Sequence, residues 1–287
     1  MQLLSDMPQP VLGLYRKDLD IGEASQEDIE NILMNLFDRF RPDCIINAAA
    51  YTAVDQAEVD AQRAARVNAW FPGLLGRIAH HLPILHFSTD YVFDGTKTEA
   101  YKEDDMPSPL GVYGLTKLQG EQALLQASAR ATVIRCSWVV GPDGQNFAKT
   151  ILRLACEREE LRVVDDQFGV PTPTDFLVRE ITRHPITSFP PGLYHLVPSG
   201  RINWYEYAVW LIEKAQDHPL WRHRLRVRAN NVRGIASDQY PTRVQRPKNS
   251  SLDTSKWRFA SGQSNLPPWH EALAPTVAKI LDSGPGR

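Results

Sequence analysis

The chain has 287 residues, of which 43% are hydrophobic and 23% are charged, values ordinary for a globular protein with one large domain or two small lobes. Its formal net charge of -2 gives no general attraction to nucleic acid or to an acidic membrane. The longest apolar runs, such as residues 131–140, are too short to cross a bilayer, so we expect no nucleic-acid or membrane partner. Three cysteines without paired spacing argue against a disulfide framework or a zinc site, and no signal peptide opens the chain, which favours a cytoplasmic location.

Short apolar runs alternate with helical patterns along the chain, which is typical of an α/β fold with a parallel sheet. The first strand is predicted at residues 11–16, and a helix with apolar residues at helical spacing follows at residues 26–40. The remaining predicted strands lie at residues 44–49, 84–88, 132–140 and 192–197, and further helices at residues 112–127 and 203–215. This order predicts a doubly wound parallel sheet of the Rossmann type.

After about residue 139 the pattern loosens, and proline, aromatic and arginine residues become more frequent. We predict a dinucleotide-binding domain from residues 1–139 and 172–199, interleaved with a smaller C-terminal substrate domain from residues 140–171 and 200–287. The predicted helix at residues 203–215 carries four large aromatic residues, for which a place in the core of the lobe is favoured over sugar stacking. They are Trp204, Tyr205, Tyr207 and Trp210.

Two motifs carry the chemistry. Residues 88–93 read Ser-Thr-Asp-Tyr-Val-Phe at the C-terminal end of a buried strand, where open α/β sheets place their ligands. Tyr113 and Lys117 follow, four residues apart near the start of a helix, and therefore on one helix face. Tyr-x-x-x-Lys alone is a weak signal, since it also occurs on solvated helices, but together with Ser-Thr-Asp at a strand end it predicts a catalytic site.

The pairing has a chemical use. A free phenol has a pKa of about 10, and a nearby ammonium stabilises the phenolate, so Lys117 is predicted to lower the pKa of Tyr113. Thr89 is placed to donate a hydrogen bond to a carbonyl oxygen that gains charge as hydride arrives. The three residues match the pattern of the short-chain dehydrogenase/reductase superfamily.

Within that superfamily the chain resembles the dTDP-4-dehydrorhamnose reductases over the region from about residue 20 to its end. The matching stretches occur in the order of the family: residues 41–43, 46–58, 88–95, 109–117, 137–138, 146–150, 166–172, 192–195 and 246–253. The resemblance implies NADPH-dependent reduction of the C4 keto group of dTDP-4-dehydro-L-rhamnose, with Tyr113 donating a proton to the oxygen. Related 4,6-dehydratases place Asp-Glu after the threonine, whereas Thr89 is followed by Asp90 and Tyr91, which favours simple carbonyl reduction.

The resemblance also implies a set of substrate contacts. Thr89 and Asp90 would contact the sugar or help to set the carbonyl, and Trp138 would pack on the substrate. For Tyr91 and Asn146, packing or turn roles are equally favoured. Arg246 is a candidate for the substrate diphosphate, because arginine pairs well with phosphate oxygens.

For the cofactor, the small residues Ala48, Ala49 and Ala50 after a strand would let a ribose approach the backbone, and they also suit helix packing. Asp20 and Ile21 match the adenine-contact dipeptide of the family, Phe87 lies where the sheet would meet the nicotinamide, and Tyr113 and Lys117 would border it, with Lys117 holding its ribose. The predicted strand at residues 11–16 corresponds to the second strand of a dinucleotide-binding fold, and Arg16 at its end favours NADPH, with NADH as the alternative. No histidine pair has metal-ligand spacing, so no metal is predicted in the chemistry. Whether Mg²⁺ serves at a homodimer contact, as in some family members, stays open.

The expected glycine-rich turn that holds a pyrophosphate at a helix N-terminus is absent from the sequence. A misassigned start codon, a shortened chain and a loss of activity would each explain this, and the first is favoured because a sheet without its central strand should be poorly stable. The alternative function is a non-catalytic binding or regulatory protein, since a reductase-like regulatory subunit of methionine adenosyltransferase shares the two motifs.

Overall fold

The computed structural model describes residues 10–284. Its strands are β1 Ile45–Asn47, β2 Ile84–Thr89, β3 Ala131–Cys136, β4 Val139–Val140, β5 Leu161–Val164, β6 Phe168–Gly169, β7 Thr172–Pro173, β8 Gly192–His195, β9 Ile202–Asn203 and β10 Val232–Ile235. Its α-helices are α1 Gln26–Phe40, α2 Val54–Ala57, α3 Ala61–Ala65, α4 Phe71–Ile78, α5 Val112–Ala127, α6 Phe147–Glu157, α7 Thr174–Arg183, α8 Trp204–Asp217, α9 Ser255–Ser261 and α10 Trp269–Asp282.

The centre of the molecule is a parallel sheet with the strand order β1-β2-β3-β8. Ile84 of β2 lies opposite Ile45 on one side and Ala131 on the other, which fixes the register of the three strands. Every residue of β3 is buried, because helices cover both faces of the sheet. The predicted α/β fold with a doubly wound parallel sheet is confirmed by the sheet and by the solved structures described below.

Helix α1 has the bounds that the sequence predicts. Its N-cap Ser25 accepts a hydrogen bond from the backbone N–H of Asp28 at 3.0 Å, which satisfies one of the free donors of the first turn. Arg41 then adopts a left-handed conformation with φ 49° and ends the helix. Ile29 and Leu33 are buried, so α1 is held against the sheet by one apolar face.

The prediction of a strand at residues 11–16 is wrong. This segment forms no strand and ends in a turn, where the backbone N–H of Asp18 donates to the carbonyl of Tyr15 at 2.8 Å. Val11 and Leu12 are 43% and 45% exposed. An apolar pattern becomes a strand only where a neighbour accepts its hydrogen bonds, and within residues 10–284 the outer side of β1 has no paired strand.

The strand predicted at residues 132–140 is divided into β3 and β4. Trp138 between them adopts φ 46°, a conformation that an ordinary side chain rarely takes, and the chain turns there. β4 then pairs with β7 instead of continuing the central sheet. This break carries the chain out of the sheet and into the C-terminal part of the molecule.

The C-terminal part has a core of its own, built mainly by α6, α8, α10 and the parallel pair β5 and β10. The aromatic residues of α8 belong to this core: Tyr207 is 1% exposed, and Trp204, Tyr205 and Trp210 pack against it. The core assignment favoured from sequence is therefore confirmed. No helix within residues 10–284 is both long and apolar enough to cross a membrane.

Candidate active site

Thr89 and Asp90 lie where β2 passes directly into a short 3-10 turn, Asp90–Val92. The Thr89 hydroxyl accepts a hydrogen bond from the backbone N–H of Tyr91 at 3.2 Å and donates to Asp90 Oδ1 at 3.0 Å. Thr89 is 5% exposed and Asp90 is 2% exposed. The end of the buried strand therefore holds both polar side chains in fixed positions.

Burial raises the pKa of Asp90 from 3.8 to about 6, because the charged form loses water around it. The Ser88 hydroxyl is buried without a hydrogen-bond partner among the described residues, and buried Asp90 Oδ2 has no partner of good geometry there, although the Ser250 hydroxyl is close enough to oppose the rise in the pKa of Asp90. Unsatisfied polar atoms are costly in a protein interior and are frequent at binding sites. These two atoms therefore mark the end of β2 as a place for a polar ligand.

Helix α5 brings Tyr113 to the same place. The helix can approach the 3-10 turn closely because position 114 is glycine: a Cβ at Gly114 would lie 2.1 Å from the carbonyl oxygen of Tyr91. The rings of Tyr91 and Tyr113 meet edge to face, with centroids 5.8 Å apart. Tyr113 is half-buried as a whole, and its phenol end lies among Thr89, Asp90 and Tyr91.

The prediction that Lys117 lowers the pKa of Tyr113 is wrong for the protein in this state. Burial raises the pKa of Tyr113 above its ordinary value of 10, and the Thr89 hydroxyl only partly opposes this. Lys117 points elsewhere: its ammonium nitrogen Nζ lies 2.5 Å from the carbonyl oxygen of Phe87 and 3.3 Å from His86 Nε2. Burial also lowers the pKa of Lys117 to about 8.

The alanines predicted to border the cofactor follow β1 directly. The backbone N–H of Ala49 donates to Asn47 Oδ1 at 3.1 Å, which fixes the bend after the strand, and Ala48 and Ala50 flank it. Asn68 lies nearby in a π-helical turn, Arg66–Trp70, and is fully buried. Its side chain holds both backbone groups of Tyr51, so it supports the site structurally.

Arg16, Asp20 and Ile21 form a small surface group before α1. Arg16 Nε donates to Asp20 Oδ2 at 2.9 Å, and this bond lowers the pKa of Asp20. Asp20 Oδ1 accepts from the backbone N–H of Gly22 at 3.0 Å, and the carbonyl of Ile21 accepts from Arg66 Nε at 2.6 Å. These contacts order the loop that would border the adenosine end of a dinucleotide.

Of the remaining predicted substrate residues, Arg246 reaches the site and Asn146 has a capping function. Arg246 Nη2 contacts Asp55 Oδ2 at 2.6 Å, and its guanidinium lies 5.8 Å from the centre of the Tyr91 ring. Asn146 caps α6, accepting from the backbone N–H of Lys149 at 3.1 Å. The indole of Trp138 stacks on Trp204 with centroids 3.5 Å apart.

Sequence reasoning missed His86 and Asn47. Both are buried, at 0% and 4% exposure, and Asn47 Nδ2 lies 3.0 Å from His86 Nδ1. The available signal was a polar residue inside each of two largely apolar predicted strands, residues 44–49 and 84–88. Such residues are rare in a core unless they are paired.

The polar groups of the site fit a nicotinamide cofactor at two places, its nicotinamide end and its adenosine end. Tyr113, Lys117 and the orphaned polar atoms of Ser88 and Asp90 gather at the carboxyl end of β2, and an ordered loop at Asp20 lies before α1. Within residues 10–284 no glycine-rich turn precedes a helix to hold a pyrophosphate. The same described residues contain no cluster of His, Cys, Asp or Glu that would hold a metal ion.

A doubly wound parallel sheet with threonine, tyrosine and lysine at the end of β2 defines an oxidoreductase that uses a nicotinamide cofactor. The model of the family described as RmlD substrate binding domain matches residues 3–281, and the chain belongs to this family.

Similar proteins agree. The chain is 43% identical over 251 residues to a dTDP-4-dehydrorhamnose reductase of Escherichia coli strain K12, covering 85% of this chain and 79% of that protein. The solved structure of a dTDP-4-dehydrorhamnose reductase from Bacillus anthracis in complex with NADP is 30% identical with a TM-score of 0.86, covering 97% of this chain and 94% of the other. The corresponding structure from Clostridium acetobutylicum is also 30% identical, with a TM-score of 0.84 and coverage of 96% and 92%.

Proposed function

We propose that the chain reduces the C4 keto group of dTDP-4-dehydro-L-rhamnose to give dTDP-L-rhamnose, with NADPH as the hydride donor. The observation that carries the proposal is the meeting of Thr89 and Tyr113 at the carboxyl end of β2, with Lys117 one helical turn further along α5. The reductases of E. coli and B. anthracis support the substrate, because the chain matches each of them over most of its length.

Each catalytic residue has one role in the proposal. The raised pKa of Tyr113 keeps its phenol protonated at neutral pH, so it is a proton donor to the sugar oxygen. The Thr89 hydroxyl donates to Asp90 Oδ1 in the substrate-free protein and would redirect this proton to the same sugar oxygen as charge develops on it. Lys117 binds the ribose next to the nicotinamide, and the bound cofactor supplies the hydride.

The substrate would bind between the end of β2 and the returning C-terminal segment. Asp90 Oδ2 and Arg246 Nη1 are buried there without partners among the described residues, so they are available to the sugar hydroxyls and to the diphosphate. Tyr91 supports both Tyr113 and Arg246. Trp138 would pack on the substrate from its stack with Trp204, and Asn146 contributes by capping α6.

For the cofactor, Ala48, Ala49 and Ala50 would border the ribose, Asp20 and Ile21 the adenine, and Phe87 the nicotinamide. The preference for NADPH rests on Arg16, whose side chain is 72% exposed and is therefore accessible to a 2′-phosphate. NADH is the alternative, since Asp20 already engages Arg16. Comparing the dissociation constants of the two cofactors decides between them.

The organisation of the molecule is also part of the proposal. Residues 1–139 and 172–199 would form the dinucleotide-binding domain, and residues 140–171 and 200–287 the substrate domain, which has its own core. Cys44, Cys136 and Cys156 are free thiols, which suits a cytoplasmic location. A homodimer, with or without Mg²⁺, is testable by light scattering with and without a chelator.

The direct test combines binding and turnover. A fluorescence titration of NADPH into the 287-residue chain should saturate in the micromolar range, a typical order for such cofactors. Addition of dTDP-4-dehydro-L-rhamnose should then oxidise NADPH and yield dTDP-L-rhamnose by chromatography. Binding without turnover would favour the non-catalytic regulatory alternative, and no binding at millimolar NADPH would reject the chain as a working reductase.

A further inference from the structure

A buried chain of three side chains connects the edge strand β1 to Lys117. Asn47 Nδ2 lies 3.0 Å from His86 Nδ1, and His86 Nε2 lies 3.3 Å from Lys117 Nζ. The three residues are 4%, 0% and 2% exposed. Because water does not reach them, each contact needs one donor and one acceptor within the protein.

The backbone sets the direction of this chain. The N–H of Ala49 can only donate, and it donates to the Asn47 side chain at 3.1 Å, so the carboxamide oxygen must face it. The amide nitrogen of Asn47 therefore faces His86 and donates to Nδ1. This assigns the orientation of the amide from its network, since oxygen and nitrogen differ only in what they can bond.

His86 must then carry its proton on the other ring nitrogen. Burial lowers the pKa of His86 well below 6.5, so the imidazole is neutral and holds one proton. With Nδ1 accepting from Asn47, that proton is on Nε2. The Nε2–H group points at Lys117.

An ammonium group has three donors and no acceptor, so it cannot pair with Nε2–H. A neutral amine can, because its lone pair accepts from His86 while one of its own N–H groups donates to the carbonyl of Phe87, 2.5 Å away. A protonated Lys117 at this place would bring its ammonium N–H groups against the Nε2–H donor of His86. Burial by itself lowers the pKa of Lys117 only to about 8, which would leave most of the amine protonated at neutral pH. The neutral form therefore rests on the geometry, because the Nε2–H donor facing Lys117 lowers its pKa further.

We propose that Asn47 and His86 are positioning residues that hold Lys117 as a neutral amine against β2 in the cofactor-free protein. Lys117 then leaves His86 and takes up a proton from solvent when it turns to the nicotinamide ribose. The inference rests on the ribose-binding role of Lys117 given under the proposed function. It makes cofactor binding a proton-coupled event with a switch of hydrogen-bond partner.

The other titratable groups around Lys117 leave this balance intact. On α5, Glu121 is neutralised by Arg135, whose Nη2 lies 2.7 Å from its carboxylate, and burial keeps the Tyr113 phenol protonated. On β3, burial raises the pKa of the Cys136 thiol to about 12, so the thiol is uncharged. At the end of β2, Asp90 has a raised pKa of about 6 and is mostly ionised at neutral pH, but its carboxylate accepts from the Thr89 hydroxyl and not from Lys117.

The first test reads the tautomer directly in the cofactor-free protein. Long-range ¹H–¹⁵N correlation spectra of ¹⁵N-histidine-labelled protein distinguish Nε2–H from Nδ1–H imidazole, and the His86→Gln variant assigns the signal. We expect the Nε2–H form at neutral pH. A Nδ1–H or doubly protonated ring would overturn the proposal, whatever the reaction of the protein proves to be.

The second test exchanges the donors and acceptors along these hydrogen bonds by changing one atom of Asn47. In Asn47→Asp the carboxylate accepts from both Ala49 N–H and His86 Nδ1–H, so Nε2 presents its lone pair and the ammonium form of Lys117 is favoured. The tautomer should switch to Nδ1–H, whereas Asn146→Asp, a matched change in the cap of α6, should leave it unchanged. An unchanged tautomer in folded Asn47→Asp would contradict the proposal.

The coupling is read from NADPH affinity against pH, by fluorescence. In the unmodified chain affinity should fall about tenfold per pH unit above the pKa of Lys117, because the proton must be taken up on binding. In Asn47→Asp the fall in NADPH affinity should begin at higher pH. The same is expected of His86→Gln, because the glutamine amide can turn either its oxygen or its nitrogen to Lys117. Affinity independent of pH in the unmodified chain would overturn the coupling, and no binding at all would reject the proposed function while the tautomer result stands.

Discussion

At the scale of single residues, the chemistry depends on the Tyr113 hydroxyl. Tyr113→Phe should lower kcat by about 10²–10⁴-fold, the usual contribution of a positioned proton donor. The ring keeps its edge-to-face contact with Tyr91, so the dissociation constant of NADPH should stay within about threefold, well under the tenfold that 1.4 kcal/mol would give. Steady-state kinetics and a fluorescence titration measure both quantities.

Tyr91→Phe is the matched control, since it removes the same atom from the neighbouring ring. It should lower kcat far less, because the Tyr91 ring supports Tyr113 and Arg246 while its hydroxyl is not assigned a proton. An equal loss of kcat in the two variants would contradict the assignment of Tyr113 as the proton donor.

Asp90 gives a residue-scale prediction on stability. Its pKa is about 6 in the folded chain and near 3.8 when unfolded, so between these values the unfolded state loses a proton that the folded state keeps. The contribution of Asp90 to the free energy of unfolding therefore falls as pH rises from about 4 to 6, by at most about 3 kcal/mol for a shift of this size. Asp90→Asn should become more stable relative to the unmodified chain over that interval, measured by urea denaturation at a series of pH values.

Asp105→Asn should show the opposite trend. The hydrogen bond from Lys97 lowers the pKa of Asp105, so its stabilising contribution is lost as pH falls and present at neutral pH. This variant should lose stability relative to the unmodified chain as pH rises. Parallel pH dependence in the two variants would show that the burial of Asp90 does not control its titration.

At the scale of elements, a buried ion pair joins β3 to α5. Arg135 contacts the Glu121 carboxylate through Nε at 2.9 Å and Nη2 at 2.7 Å, and both side chains are 2% exposed. Glu121→Gln leaves the guanidinium buried without its counter-charge and should cost about 3–5 kcal/mol of unfolding free energy. Chemical denaturation followed by circular dichroism measures the change.

Glu157→Gln tests whether burial is the cause. Glu157 pairs with Arg153 at 2.8 Å, but the two side chains are 52% and 60% exposed, and such pairs contribute less than about 1 kcal/mol. Similar losses in the two variants would contradict the argument from desolvation. A large loss of unfolding free energy in Glu121→Gln alone would show that the buried pair holds α5, and with it Tyr113 and Lys117, against the sheet.

Sequence patterns predicted elements well where the determining signals are local. The bounds of α1 follow from Ser25 at its start and the break at Pro42 after Arg41. The prediction of a strand at residues 11–16 failed because a strand depends on a partner strand that no local pattern reveals. The turn at Trp138 was not predicted for a related reason: its φ of 46° is fixed by packing against Trp204 and Gly169, both distant in sequence.

At the scale of the whole molecule, the candidate site could be predicted in its parts but not in its connections. The spacing of Thr89, Tyr113 and Lys117 placed these residues together because strand ends and first helical turns meet at one edge of a parallel sheet. The partners of Lys117 in the cofactor-free state come from the middle of β2 and were not predictable from spacing. Arg246 and Asp55 meet across 191 positions, a contact that only the complete fold produces.

That contact carries the last prediction. Arg246 is brought from the C-terminal segment to Asp55, and its Nη1 is buried without a partner among the described residues. Arg246→Gln should raise KM for the nucleotide-sugar by at least about tenfold, because a hydrogen bond to a charged group contributes about 1.5–3 kcal/mol. The dissociation constant of NADPH should change little, since the cofactor is proposed to contact other residues.

Arg243→Gln provides the comparison, because Arg243 is exposed and lies three residues earlier in the same segment. It removes the same charge from the molecule, so any effect of net charge on substrate encounter appears in both variants and weakens with salt. A rise in KM confined to Arg246→Gln and insensitive to salt would locate the diphosphate at the guanidinium. An equal, salt-sensitive rise in both would instead assign the effect to long-range attraction and leave Arg246 as the structural partner of Asp55.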